Sequence, residues 1–332
     1  MEGYLKDYEG KKVLVTGGAG CIGSNLTRAL LRAKVEKIFV LDDLSSSERW
    51  NLPDDPAVFF IHGSVLDEEV LKRAFSEKPD YVFHLAALFA NQNSIDHPET
   101  DLRVSGLGIL KVLQYSHLSN VDKFVFSSSG CSVYGSQAPL PLREGFVSVH
   151  LDTPYQITKL LGELYCNFFR NYYGLPVAIA RLFNVYGPGE IPGKYRNVTP
   201  NFIYLALHDQ PLPIMGTGEE TRDFTFVDDA VDGLLRIGVI PEALGEAINI
   251  ASEVETKVID LANTINELAG NKSGLKFVER RSWDKITRRR ASIEKAKRIL
   301  GYNPKTNMRS GIRKTVDWFL ENREKIEVDA NF

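Results

Sequence analysis

A glycine turn set between a strand and a helix constrains this chain more than any other feature. Lys12-Val-Leu-Val-Thr16 has the continuous apolar character of a buried strand, Gly17-Gly-Ala-Gly20-Cys-Ile-Gly23 follows it directly, and an amphipathic stretch runs from Ser24 to Arg32. Backbone amides at such a helix start can receive a pyrophosphate. Gly17 allows the tight turn, Gly20 lets a phosphate approach the backbone, and Gly23 lets helix and strand come together. Cys21 and Ile22, between the glycines, belong to the same expected cofactor contact.

Short runs rich in β-branched residues then alternate with longer helical patterns: Lys37-Ile-Phe-Val-Leu41, Val58-Phe-Phe-Ile61, Tyr81-Val-Phe-His-Leu85, Lys123-Phe-Val-Phe126 and Val177-Ala-Ile-Ala180. Runs of this kind are strands covered on both faces, and the segments between them are long enough for right-handed helical crossovers. The expected fold is α/β, a doubly wound parallel sheet of the Rossmann type. From about residue 186 the chain becomes rich in turn signals, among them Gly187-Pro-Gly, Ile191-Pro-Gly, Gln210-Pro-Leu-Pro and Gly216-Thr-Gly. Residues 1–185 are therefore expected to form a cofactor-binding domain, to which segments around 222–253 return, and 186–332 a smaller substrate-binding domain. The segment from Glu324 to Phe332 reads as a fraying tail.

Composition narrows the function. Forty basic and 43 acidic residues leave a net charge of −3, too balanced for a nucleic-acid backbone or an anionic membrane to be the main partner. Three scattered cysteines, Cys21, Cys131 and Cys166, suggest neither a disulfide framework nor a metal site. No apolar run approaches a membrane span and Met1-Glu-Gly-Tyr lacks a signal peptide's character, so a cytoplasmic protein is expected.

The second strand ends in Asp42-Asp43, at the distance where a carboxylate accepts both adenosine-ribose hydroxyls and repels a 2′-phosphate, which favours NAD over NADP. Farther on, Tyr155-Gln-Ile-Thr-Lys159 places a phenol and an ammonium four apart, on one face of a helix. An ammonium there lowers the phenol's pKa and makes it a better base near neutral pH.

With the glycine turn and this Tyr-Lys pair, the pieces His84-Leu-Ala-Ala87, Phe126-Ser-Ser-Ser129, Val133-Tyr-Gly135, Arg181-Leu-Phe-Asn184-Val-Tyr-Gly-Pro188 and Arg222-Asp-Phe-Thr-Phe-Val-Asp-Asp229 occur in an order that resembles the extended short-chain dehydrogenase/reductase family, specifically its NAD-dependent sugar-nucleotide epimerases and dehydratases. The resemblance covers most of the chain. It implies NAD in the first lobe, contacted also by Ser64, Val65, Leu85, Ala86, Ala87 and Ser127, and a nucleoside-diphosphate sugar, with a UDP-sugar favoured, in the second. It implies Tyr155 as base, Lys159 on the nicotinamide ribose, and a serine hydroxyl bridging sugar and tyrosine. That serine is expected to be Ser129, with Ser128 and Ser132 as substitutes, because Gly130-Cys131-Ser132 carries one inserted residue. Substrate contacts are expected from Asn184, Val198, Arg222, Arg281 and Arg288, and a homodimer through helices near 100–118 and 154–173, with Leu110, Leu113, Leu161 and Phe168 at the seam.

Related dehydratases and decarboxylases carry a carboxylate before Val-Tyr-Gly; Cys131-Ser132 has none. Epimerisation at C4 through a transient 4-keto sugar is therefore the first expectation. Ser-Ser-Gly-Cys also resembles the segment of epimerases that invert carbons beside the ketone, which makes Cys131 a second catalytic candidate. A non-catalytic NAD-binding protein of the same fold is the remaining alternative. Three departures bear on subfamily: Ser64 where Asp commonly meets adenine, Arg103 where Asn is usual, and Ser292 where Asp precedes Ile. Asp67 is better read as a helix cap.

Overall fold

Strands form where the apolar runs are continuous, and the structure, a computed structural model describing residues 3–330 and 332, assembles seven of them into one sheet. They are β1 (Lys12–Thr16), β2 (Lys37–Asp42), β3 (Val58–His62), β4 (Tyr81–His84), β5 (Lys123–Ser129), β6 (Val177–Leu182) and β7 (Ala247–Ile250). Their spatial order is β7-β6-β5-β4-β1-β2-β3, and every neighbouring pair is parallel. Val15 lies opposite Val40 on one side and Phe83 on the other. All of β4 and β6 is buried, as both faces are covered by helices.

Strand order reverses between β1 and its two neighbours, β2 and β4, so a crevice opens at the carboxyl ends of these strands. Helices that pack on the sheet include α1 (Cys21–Arg32), α2 (Glu68–Ser76), α3 (Gly108–Leu118) and α4 (Pro154–Tyr173). Asp67 caps α2, its Oδ1 accepting from the amides of Glu69 at 2.9 Å and Val70 at 3.4 Å. Thr153 caps α4 and Pro154 opens it, while Gly174 ends it at φ +72°.

Two expectations are corrected. The helix read over 100–118 is present but not regular: Pro98–Asp101 passes without a break into a π-helical segment Leu102–Leu107 and then α3. The tail from Glu324 is not frayed, because a helix Arg323–Asp329 docks through buried Ile326, and Asp329 accepts from Trp50 Nε1 at 2.7 Å. Beyond β6 the smaller pairings are Val185–Tyr186 with Thr225–Phe226, Leu212–Met215 with Leu275–Val278 and Thr221–Asp223 with Glu255–Lys257. β7, by contrast, lies at the edge of the large sheet.

Candidate active site

A cavity of about 310 Å³ occupies the crevice. It gathers Gly17, Gly20, Cys21, Ile22 and Gly23 from the glycine turn, Asp42 and Asp43 from the end of β2, Ser64 and Val65 after β3, Leu85, Ala86 and Ala87 after β4, and Ser127 on β5. The turn is bare for steric reasons. A Cβ on Gly17, at φ +68°, would stand 2.7 Å from the Ala86 amide nitrogen, and one on Gly23 would stand 2.4 Å from Gly18 Cα. Gly20 offers no side-chain cap, and the first intrahelical bond of α1 is Ser24 N to Gly20 O, so the amides of Cys21, Ile22 and Gly23 are left over, as a pyrophosphate site requires.

Asp42 is largely buried and already engaged. Its Oδ2 accepts from Ala19 N at 2.9 Å, and its Oδ1 from Leu44 N at 2.9 Å and Ser47 Oγ at 2.8 Å. Of about four acceptor positions on a carboxylate this leaves about one, on Oδ2, for a ribose hydroxyl. Asp43 is the more exposed of the pair and accepts from Ser45 N. Ser64 Oγ accepts from Leu66 N at 3.3 Å and so closes a turn of its own.

Tyr155 and Lys159 share the inward face of α4 and are both buried. Lys159 Nζ lies 5.6 Å from the centre of the Tyr155 ring and donates to Ser127 O at 2.8 Å. The serines at the end of β5 divide by direction. Ser128 Oγ donates to Glu163 Oε1 at 2.5 Å, within a buried ion pair whose Glu163 Oε2 meets Arg181 Nη2 at 2.7 Å. Ser129 does not join that pair: its Oγ accepts from Ser132 Oγ at 3.0 Å, and its hydroxyl draws the Tyr155 phenol down. Ser132, Ser129 and Tyr155 thus make one line of hydroxyls, its Ser132–Ser129 step a hydrogen bond and its Tyr155 step an electrostatic influence.

The expectation that Lys159 depresses the phenol is corrected. Burial pushes Tyr155 well above its usual value, Asp101 and Cys131 push the same way, and only Ser129 pulls it down. Burial also brings Lys159 down to about 8, against Asp101, which raises it. The chain's own groups therefore hold the phenol protonated. Asp101, absent from the sequence reading, is fully buried and accepts from Thr158 Oγ1 at 2.9 Å and Ser105 Oγ at 3.1 Å, across the π-helical turn.

The remaining expected site residues come from the chain beyond β6. Asn184, just past β6 at φ +33°, accepts from Cys131 Sγ at 2.8 Å. Arg222 donates to both carboxylate oxygens of Asp284, at 3.2 and 3.4 Å, rather than to the neighbouring Asp223 or Glu220. Arg281 lies over Trp283, whose Nε1 reaches Gln92 Oε1 at 2.8 Å, and Val198 opens the helix Val198–Leu207. Arg288 is not brought to the site: it is exposed and held bidentate by Glu255 at 2.6 and 2.8 Å. Its neighbour Arg289 is the buried one and donates to Cys131 O at 2.8 Å. Alternation along the Arg288-Arg-Arg290 run was the signal available for that distinction. Glu190, Arg196 and Asn197 also line the cofactor cavity; they lie in the Gly/Pro-rich segment, where no periodicity marks them. Among the described residues no helix is long and apolar enough to cross a membrane, and no cluster of metal-ligating side chains occurs.

A glycine-turn crevice at a strand-order reversal, with a Tyr-Lys pair on the adjoining helix, defines an NAD-binding enzyme of the extended short-chain dehydrogenase/reductase class. Residues 13–251 match the NAD dependent epimerase/dehydratase family, and the chain belongs to it. The epimerase Mth375 of Methanothermobacter thermautotrophicus superposes with a TM-score of 0.98 at 56% identity, over 99% of this chain and 98% of that one. Bordetella bronchiseptica WbmF, solved with NAD+ and UDP, superposes with a TM-score of 0.85 at 38% identity, over 97% and 96%. The UDP-glucose 4-epimerase of Mycolicibacterium smegmatis is 35% identical over 311 residues, 93% of this chain and 98% of its own. NAD is the cofactor.

Proposed function

We propose that the protein is a nucleoside-diphosphate-sugar 4-epimerase with a UDP-sugar as substrate. The observation that carries this reading is the hydroxyl line Ser132-Ser129-Tyr155 beside Lys159, with no carboxylate in the segment Gly130-Cys131-Ser132. Tyr155 takes the proton of the sugar's C4 hydroxyl while Ser129 holds that hydroxyl in place, and the same phenol returns the proton after the face of the sugar has changed. The glycine turn and Asp42 would hold NAD, which when bound would supply a hydride acceptor at C4 and a positive charge that lowers the phenol. Lys159, fixed by Ser127 O, holds the nicotinamide ribose. Arg222 and Arg281 bind the diphosphate from the second lobe, Arg222 exchanging Asp284 for a phosphate. Elimination or decarboxylation would need an acid beside the reacting carbon, and Gly130-Cys131-Ser132 offers none. Incubation with UDP-glucose, UDP-N-acetylglucosamine and UDP-glucuronate, followed by sugar-proton NMR, should show one C4 epimer pair interconverting. Products lacking water or CO₂ would refute the reading.

A second reading is favoured by Cys131, whose thiol meets Asn184 and whose electrostatic reach includes Tyr155. It would act on an acidic carbon next to the ketone. Burial pushes this thiol up, while Arg289, then Asn184, pulls it down, so the thiolate is scarce and C4 chemistry is preferred. Turnover in D₂O separates the two: hydride return leaves ring carbons free of deuterium, whereas deprotonation by Cys131 labels them and Cys131→Ala abolishes the label. We further propose that residues 186–332, apart from the helix Val227–Val239 and β7, which return to the sheet, form the substrate lobe, and that two copies pair through α3 and α4.

A further inference from the structure

One carboxyl group lines the cofactor cavity without a role in the chemistry above. Glu190 is nine-tenths buried; its Oε1 accepts from Asn197 Nδ2 at 2.9 Å, whereas its Oε2 is buried with no hydrogen-bond partner among the described residues. The loop carrying it is tied to the start of α1. Asn25 Nδ2 donates to Pro188 O and Asn51 Nδ2 to Gly189 O, both at 2.8 Å, and the Cys21 thiol meets Pro188 O at 3.4 Å. A Cβ on Gly189, at φ +95°, would stand 3.4 Å from Cys21 Cα, so this backbone runs against the glycine turn itself.

An ionised carboxylate at that place would face a diphosphate of its own sign, and an unpaired buried oxygen is costly in either state. A neutral carboxyl removes both penalties, since its O–H is a donor and a phosphate oxygen an acceptor. We propose that Glu190 is a cofactor ligand that works in its protonated form, so that dinucleotide binding takes up a proton at Glu190 and weakens as pH rises. The inference rests on the reading that the diphosphate of NAD sits over the glycine turn.

The surroundings support it. Burial raises Glu190 to about 7, with Arg196 and then Asn197 pulling it down. From α1 it faces Cys21, itself pushed up by burial and under the influence of Arg28 and of Asp228 from the helix Val227–Val239. Arg196, the nearest cation, is shared with Asp42 and Glu48 and donates to Ser46 O, so it does not serve Glu190 alone. The sign follows. Below about pH 6 the carboxyl is neutral before and after binding and affinity is flat; above about pH 7 it must gain a proton to bind, and Kd rises by up to about tenfold per pH unit until the bound-state value is passed.

Calorimetry of the full chain, freed of any nucleotide that co-purifies, tests this with NADH in buffers of different ionisation heat. NADH is the first probe because its uncharged ring does not draw protons from Tyr155 or Lys159. Uptake should approach one proton at pH 8 and vanish at pH 6. In Glu190→Gln, whose amide donates without titrating, uptake should be absent and Kd flat from pH 6 to 8. The wild-type measurement stands alone if that variant fails to fold. Tight binding by the wild type with no proton uptake at pH 8, or uptake unchanged in a folded Glu190→Gln, overturns the proposal and leaves the pocket reading intact. A folded wild-type chain that binds neither NAD nor NADH overturns both.

Discussion

At Tyr155 the ring and the oxygen have separable duties. The ring meets Phe89 edge-on with centres 6.2 Å apart, while the oxygen belongs to the Ser129 line. Tyr155→Phe should therefore keep the fold and the NAD site yet lose turnover, as read by cofactor titration beside sugar NMR. Ser129→Ala should lower kcat by about 10² to 10⁴, the usual worth of a positioned proton-transfer partner, and Ser132→Ala far less. A smaller effect at Ser129 than at Ser132 would move the bridging role one step along the line. The sequence favoured Ser129 from its place at the end of β5 and kept Ser128 and Ser132 as substitutes; tertiary structure adds that Glu163 draws Ser128 to the other face. Asp42 shows the reverse case, legible in type but not in its load. Since it also holds Ala19 N and Ser47, Asp42→Ala should weaken NAD binding by more than one lost ribose bond, about 1.5–3 kcal/mol for a hydrogen bond to a charged group. The ratio of NADP to NAD affinity should rise, because Arg196 feels the Asp42 charge and is freed for a 2′-phosphate. Titration of both nucleotides checks this, and an unchanged ratio counts against Asp42 as the discriminator.

Elements succeed or fail here by how tightly their backbones are held. β1 to β6 were legible as continuous apolar runs because strands covered on both faces have no polar side to show. The π-helical turn at Leu102–Leu107 was not, since it keeps a helical pattern; buried Asp101 beside it accepts from Ser105 within the turn and from Thr158 on α4, a contact no local pattern announces. The docked helix Arg323–Asp329 was missed for a related reason: a single buried residue, Ile326, anchors an otherwise polar stretch. The inserted loop gives the sharpest test at this scale. Gly130 follows β5 directly, and a Cβ there would fall 1.9 Å from the Phe183 ring. The ring is fully buried and cannot swing away, so Gly130→Ala should cost about 1–3 kcal/mol, as overpacking does, and displace Ser129 from Tyr155. Denaturant melts would report the first effect and kcat the second. A variant of unchanged stability would show that the loop yields in place of the ring.

Across the whole molecule, the large apolar surface left open is on α4. Ile157, Leu164, Phe168 and Tyr172 are 53%, 57%, 46% and 73% exposed, and with half-buried Leu161 they recur at steps of three and four, one stripe down the outer side of the helix. The opposite stripe, with Tyr155, Lys159, Gly162, Cys166 and Phe169, is buried against the sheet. Leu118, at the end of α3, is 73% exposed, and Leu102 and Leu107 extend the patch. Of the seam residues expected from sequence, Leu113 instead packs in the core, because on α3 the more apolar face is the one the sheet covers. A stripe of this length in water favours association at about 25 cal/mol per Å² removed from solvent, and a second copy offers the same stripe in self-complementary form. The full chain should scatter light as a dimer at micromolar concentration. Leu164→Glu combined with Phe168→Glu should give a monomer that keeps its circular dichroism and binds NAD, since neither side chain supports the monomer's core. A wild-type monomer, or a double variant that still pairs, would place the contact elsewhere and leave this stripe without an occupant.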